Sequence, residues 1–245
     1  MSAARVTESM LLVCILACFL ISVSNENAAS QVQVLSRDYA REGIYFGFSL
    51  QNNGIGGDFD GEHMTMVYDA WGELIELSFV PELERGFGFG ITAGYRISSI
   101  AAEASYIRTS HEWEVAFYDE WGYYNSYDGD AQINMISFDA RFYPLTEDQF
   151  QPYITVGWAI PWITFEDASA SEFGAGDVTY LSLSTFNGGV GVAFLATPQI
   201  AISGGILYRY SIFSTMKGAG GDWVEIDGSL NGGGLNFNIG ISATL

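Results

Sequence analysis

"ITAGYRISSIAAEASYIRT" (residues 91–109) contains two alternating runs joined by a pair of serines. Ile91, Ala93 and Tyr95 share one phase, and Thr92, Gly94 and Arg96 the other. After Ser98 and Ser99 the alternation resumes, with Ile100, Ala102, Ala104 and Tyr106 against Ala101, Glu103 and Ser105. Side chains of a strand alternate between its two faces, so the stretch predicts a tight β-hairpin. One face is apolar; the other mixes glycine and serine with Arg96 and Glu103. The fold turns on which face is inside.

The same alternation marks eight runs along the chain, with apolar phases beginning at Ile44, Phe87, Ile100, Ile136, Ile154, Phe186, Ile200 and Leu235. Short connections follow the second, fourth and sixth runs (97–99, 145–150 and 196–199). Long ones follow the first, third, fifth and seventh (52–85, 110–132, 161–180 and 211–229). If neighbours pair antiparallel, all short turns lie at one end and all long loops at the other, as in a barrel that crosses an outer membrane. The polar phase is dominated by small residues, too small to make a solubilising surface. The apolar phase carries aromatics near both strand ends: Tyr95, Phe142 and Phe194 at one, Tyr106, Trp158 and Tyr208 at the other. Aromatic girdles flanking an apolar band suit a bilayer, and closure leaves no unpaired backbone within it. The expectation is an all-β, eight-stranded antiparallel transmembrane barrel with its apolar face outside. A soluble lipocalin-like barrel, with the faces exchanged, is the alternative.

On "GFGFGITAGYRISSIAAEASY" (86–106), "QPYITVGWAI" (151–160) and the alternating C-terminal strand, the chain resembles the small eight-stranded outer-membrane barrels of the OmpA and OmpX type. The resemblance spans residues 43–245 and carries no catalytic signature. It departs from the family pattern at its last residue, Leu245, where an aromatic is usual. The resemblance implies recognition by the barrel-insertion machinery through the terminal strand, here resting on Phe237 and the nearby isoleucines.

Residues 10–21 (MLLVCILACFLI) are uncharged and apolar, too few for a membrane-spanning helix of about 20 residues. They predict a secretory signal over 1–30, cleaved after Ser30, then a periplasmic segment over 31–42 and the barrel over 43–245. Lipidation at Cys18 is the weaker alternative, because apolar residues continue past it. Cleavage removes Cys14 and Cys18, and with them any disulfide or thiolate chemistry. It also removes Arg5, Glu8 and Glu26, taking the counts from 9 basic and 29 acidic residues to 8 and 27, a net charge of −19. That charge argues against nucleic acid or anionic lipid as a partner.

Five charges fall on the inward phase: Arg96, Glu103, Asp139, Arg141 and Arg209. An eight-stranded barrel is wide enough only for its own side chains, and buried charges there must pair. Arg96, Glu103, Asp139 and Arg141 lie near short turns and are expected to interlock as a periplasmic plug, with a gated ion path as the alternative. Arg209 lies farther from its turn and is assigned to an outer cluster. Of the 27 acidic residues outside the signal, 21 fall in the four long connections. "GGDFDGEH" (56–63) and "YDGD" (127–130) offer oxygen ligands but lack EF-hand spacing, so a solvated rim is preferred to a cation site. Loop aromatics including Trp113, Phe117, Tyr118, Trp121, Tyr123, Tyr124 and Tyr127 form either a binding surface or packing between loops. Residues 62–80 alternate again, suggesting a further hairpin. The histidines, His63 and His111, are expected in loops or at their edges, and Ser110 and His111 would point to opposite faces of a strand. The functional expectation is a non-enzymatic barrel without metal or cofactor. It contacts outer-membrane lipid and presents its loops to an extracellular ligand or surface. A narrow solute channel and a lipid-directed hydrolase are the alternatives.

Overall fold

The computed structural model describes residues 42–61, 64–68, 74–118, 124–146, 148–166, 177–217 and 223–245. The signal segment, most of the 31–42 segment, His63, Trp121 and Tyr123 lie outside them. Eight long strands form one antiparallel ring: β1 (Gly43–Asn53), β2 (Gly86–Ile97), β3 (Ile100–Tyr118), β4 (Tyr124–Phe142), β5 (Phe150–Phe165), β6 (Val178–Leu195), β7 (Ile200–Lys217) and β8 (Trp223–Thr244). β1 closes the ring by pairing with both β2 and β8.

Following one rung around the barrel gives its stagger. Tyr45 opposes Gly94, then Glu103, Asp139, Gly157, Asn187, Arg209 and Gly234 in turn. Tyr45 itself pairs with Thr244 on β8, ten residues beyond Gly234. A shear of ten over eight strands tilts them by about 40° from the barrel axis, given the usual strand rise and spacing.

The apolar phase faces outward. Ile91 is 53% exposed and Val156 60%, while Arg96, Glu103, Thr155 and Asn187 are buried in the lumen. Tyr95, Phe142, Phe194 and Tyr208 stand on the outer wall. Trp158 stacks on Phe138 at 6.0 Å and donates to the Leu183 carbonyl across a bulge in β6. Tyr106 is half-buried, its hydroxyl donating to Asn134 Oδ1 at 2.7 Å.

The connections over 110–132 and 211–229 are largely strand, and the two ends of 161–180 are strand as well, which corrects the loop assignment. β3 and β4 stay paired out to Tyr118 and Tyr124, β5 and β6 to Phe165 and Val178, and β7 and β8 to Lys217 and Trp223. The physical reason is that the alternation continues there with its polarity exchanged. Along β3 the outward residues become Arg108, Ser110, Glu112 and Glu114, while Ile107, Trp113 and Val115 turn inward. In the first connection Met64–Tyr68 pairs antiparallel with Leu74–Phe79, the hairpin expected over 62–80.

Candidate functional site

The lumen holds two different fillings. At the short-turn end, Glu103 forms a salt bridge with Arg141 at 2.9 Å and accepts a 2.5 Å hydrogen bond from the Tyr45 hydroxyl. The Arg141 guanidinium lies 4.6 Å from the centre of the Tyr153 ring. Arg96 donates to Gln151 Oε1 and to the Ser98 carbonyl in the β2–β3 turn, and stacks 3.9 Å from the Tyr143 ring centre. Gln151 is itself tied to the β4–β5 turn, donating to the carbonyls of Thr146 and Asp148. This end is therefore cross-braced between two turns.

Inward glycines make room for the tyrosines. A Cβ on Gly94 would fall 2.4 Å from the Tyr45 ring, and one on Gly191 would fall 2.3 Å from the Tyr153 ring. Any side chain at either position displaces a ring from the plug. The small residues of the polar phase are thus the complement of large neighbours.

Asp139 does not join Arg96 or Arg141. It accepts from Ser137 Oγ at 2.6 Å and from Asn187 Nδ2 at 3.0 Å. The expected four-charge network is therefore one direct ion pair with two separately solvated charges beside it. Arg209 stands farther along its strand from the short turn than Glu103 does, yet it borders the same cavity as Glu103 and Asp139. The rung that joins the three climbs around the barrel, because the strands are tilted. Tyr45, Tyr143, Tyr153 and Gln151 are members of this plug that charge-based reasoning missed. Their inward phase was the signal available.

Toward the other end the lumen is packed with apolar side chains. Phe59, Val80 and Leu83 from the first connection enter among Trp113, Val115, Ile133, Ile163, Phe165, Tyr180, Phe213, Met216 and Leu230. Phe59 meets Phe213 and Tyr180 edge-on at 5.2 and 6.1 Å, and Trp113 meets Phe165 at 6.1 Å. Within "GGDFDGEH", Asp58 accepts from the backbone and side-chain nitrogens of Asn231, which anchors the segment carrying Phe59. "YDGD" lies in β4 and forms no loop. Among the described residues, no group of three or more acidic, histidine or cysteine side chains is placed to hold a metal. Trp113 and Tyr127 pack in or against the apolar cluster; the side chains of Phe117, Tyr118 and Tyr124 are outside the described set.

His111 corrects the expectation of a loop histidine. It is buried in β3, with Nδ1 2.8 Å from the Glu84 carbonyl and Nε2 2.9 Å from Thr109 Oγ1. The carbonyl can only accept, so Nδ1 carries the proton and Nε2 accepts from Thr109. Burial pulls its pKa below the usual histidine range, opposed by the Glu84 carbonyl. Ser110 points to the opposite, exposed face.

No curated protein matches the sequence. Among solved structures, Neisserial surface protein A is 16% identical, with 82% of this chain and 97% of that one aligned at a TM-score of 0.48. OprG from Pseudomonas aeruginosa is 14% identical, with 84% and 98% aligned at 0.48. Ail, the attachment invasion locus protein of Yersinia pestis, is 14% identical, with 82% and 99% aligned at 0.42. A ring without edges, apolar outside and charged within, is what residence in a bilayer requires. The outer membrane protein β-barrel domain family matches residues 15–242, so this chain belongs to that family and resides in the outer membrane.

Proposed function

We propose that the protein is a non-enzymatic anchor, whose barrel holds paired, acidic extensions outside the membrane for contact with an extracellular ligand or surface. The observation that carries this reading is the apolar cluster built around Phe59, Phe165, Tyr180 and Phe213. Aromatic side chains from the first connection and from several strands occupy the volume a solute would have to cross. A hydrolase reading finds no support in His111, which is satisfied by Glu84 and Thr109 and buried.

The partners follow from the surfaces: outer-membrane lipid for the apolar belt, the insertion machinery during assembly, and no nucleic acid, given the net charge of −20 over the full sequence. Secretion proceeds through the signal over 1–30, and N-terminal sequencing should find Gln31 first; a retained Met1 or a lipid on Cys18 would refute that route. Planar-bilayer recording of purified protein tests the anchor itself. Little steady conductance is expected, and a large steady conductance would favour the narrow channel instead.

A further inference from the structure

Below the apolar cluster the lumen keeps a cavity of about 80 Å³, bordered by Arg96, Arg141, Arg209, Glu103 and Asp139. One water centre needs only ~10–15 Å³, so the space holds several small molecules and excludes large ones. Away from its mouth the charges do not cancel. Three guanidinium groups face two carboxylates, and Glu42, which also borders the cavity, is exposed at the lower end.

Partners can be assigned group by group. Glu103 is engaged by Arg141 and Tyr45. Asp139 is engaged by Ser137 and Asn187. Arg96 has Gln151, the Ser98 carbonyl and the Tyr143 ring. Arg209 is left over. It is 6% exposed, and its Nε and Nη1 have no acceptor among the described residues. Asp139 attracts it electrostatically without contact. Arg96 Nη2 and Arg141 Nε are likewise without acceptors, so the unmet hydrogen-bonding capacity of the charged groups is all donor. A guanidinium withdrawn from bulk water needs both acceptors and a counter-charge, and neutral water supplies only the first.

We propose that the lower lumen binds a small monovalent anion, a halide or a one-carbon carboxylate, at the Arg209 guanidinium. A single negative charge brings the five lumen charges to neutrality, which favours a monovalent ion over sulfate or phosphate. The ion enters from the short-turn end, where the cavity reaches Glu42, Gly43 and Thr244. Binding requires no path through the apolar cluster.

The test compares full-length protein in detergent with sodium bromide against sodium gluconate, an anion too large for the cavity, at matched ionic strength. The melting midpoint should rise in bromide by roughly 3–6 °C per tenfold concentration once the site is filling. The rise should vanish in Arg209→Gln, and crystals soaked in bromide should show an anomalous peak beside Arg209. Equal midpoints in the two salts would overturn the site, even with a crystal peak, which would then be an adventitious ion only. So would Asp139 turned into direct contact with Arg209, or a bromide response retained in Arg209→Gln. The salt comparison on the unmutated protein stands if that variant fails to fold.

Discussion

The two halves of this barrel obey opposite rules. Around the belt, Ile91, Phe138, Val156 and Ile239 face out while Arg96, Glu103, Asp139 and Arg209 face in. Beyond it the same strands turn Ile133, Ile163, Phe165 and Phe213 inward. Their outer wall becomes a polar ladder, with Arg108 donating to Gln132 and Gln132 donating to Glu166 across β3, β4 and β5. Backbone pairing runs on through the change, interrupted only by bulges along β6 and between β7 and β8; the solvent is what differs. Bilayer selects apolar residues on the wall and leaves the polar groups to satisfy one another inside. Water selects the reverse, and the outer half is organised as a soluble barrel would be. Each half thus needs its own test.

The outer half should depend most on packing. Phe213 is 0% exposed and touches Phe59 edge-on, so Phe213→Ala should cost ~3–5 kcal/mol by the usual penalty for emptying an aromatic site. Chemical denaturation in detergent reads this directly. A loss below about 1 kcal/mol would mean the apolar filling is loose and the contrast between halves is false. The inner half should depend on charge. Glu103→Gln leaves Arg141 without its counter-ion and should cost about 3 kcal/mol, the low end for a buried pair because the Arg141 side chain keeps 20% exposure. The double variant with Arg141→Met should lose less than the sum of the two single losses. Strict additivity would show that the pair does not act as a unit.

The boundary between halves is tested from the lipid side. Val156→Arg, in the belt, should cost ~2–4 kcal/mol and impair insertion. An arginine in place of Gln132, above the belt, should be tolerated. If both substitutions fold equally well, the belt does not end where the wall polarity changes.

The hairpin at 91–109 was legible from alternation alone, and so were the ring and the direction of its faces. The outer half was less legible, because its acidic residues suggest a loop and are in fact the solvent face of strands. Trp113 and Val115 alternate with Glu112 and Glu114 in the sequence, and that pattern held the missing information. That Arg209 borders one cavity with Glu103 and Asp139 was not legible for a different reason: which inward residues meet across the lumen depends on shear, a property of the closed ring that no single strand encodes. The entry of Phe59 into the lumen was likewise beyond local reading, since it depends on Asp58 meeting Asn231 across the closed sheet.

The smallest expected effect concerns the histidine in the outer half. His111 is neutral in the fold, donating from Nδ1 to Glu84 and accepting at Nε2 from Thr109, whose Oγ1 also lies 3.4 Å from Asn53 Nδ2. Burial holds its folded pKa below that of the unfolded chain, which is near 6.5. Between those two values the unfolded state binds more protons, so stability must fall as pH falls through that window. Above about pH 6.5 the contribution is fully present; below the folded value the loss is complete. One proton limits the slope to about 1.4 kcal/mol per pH unit. Glu84, Glu112 and Glu114 lie nearby on the paired segments. The difference between the unmutated protein and His111→Gln isolates the histidine, with melting followed from pH 5 to 8. The unmutated protein should lose stability more steeply on acidification, and parallel curves would show that a histidine inside this water-facing barrel can charge at no cost.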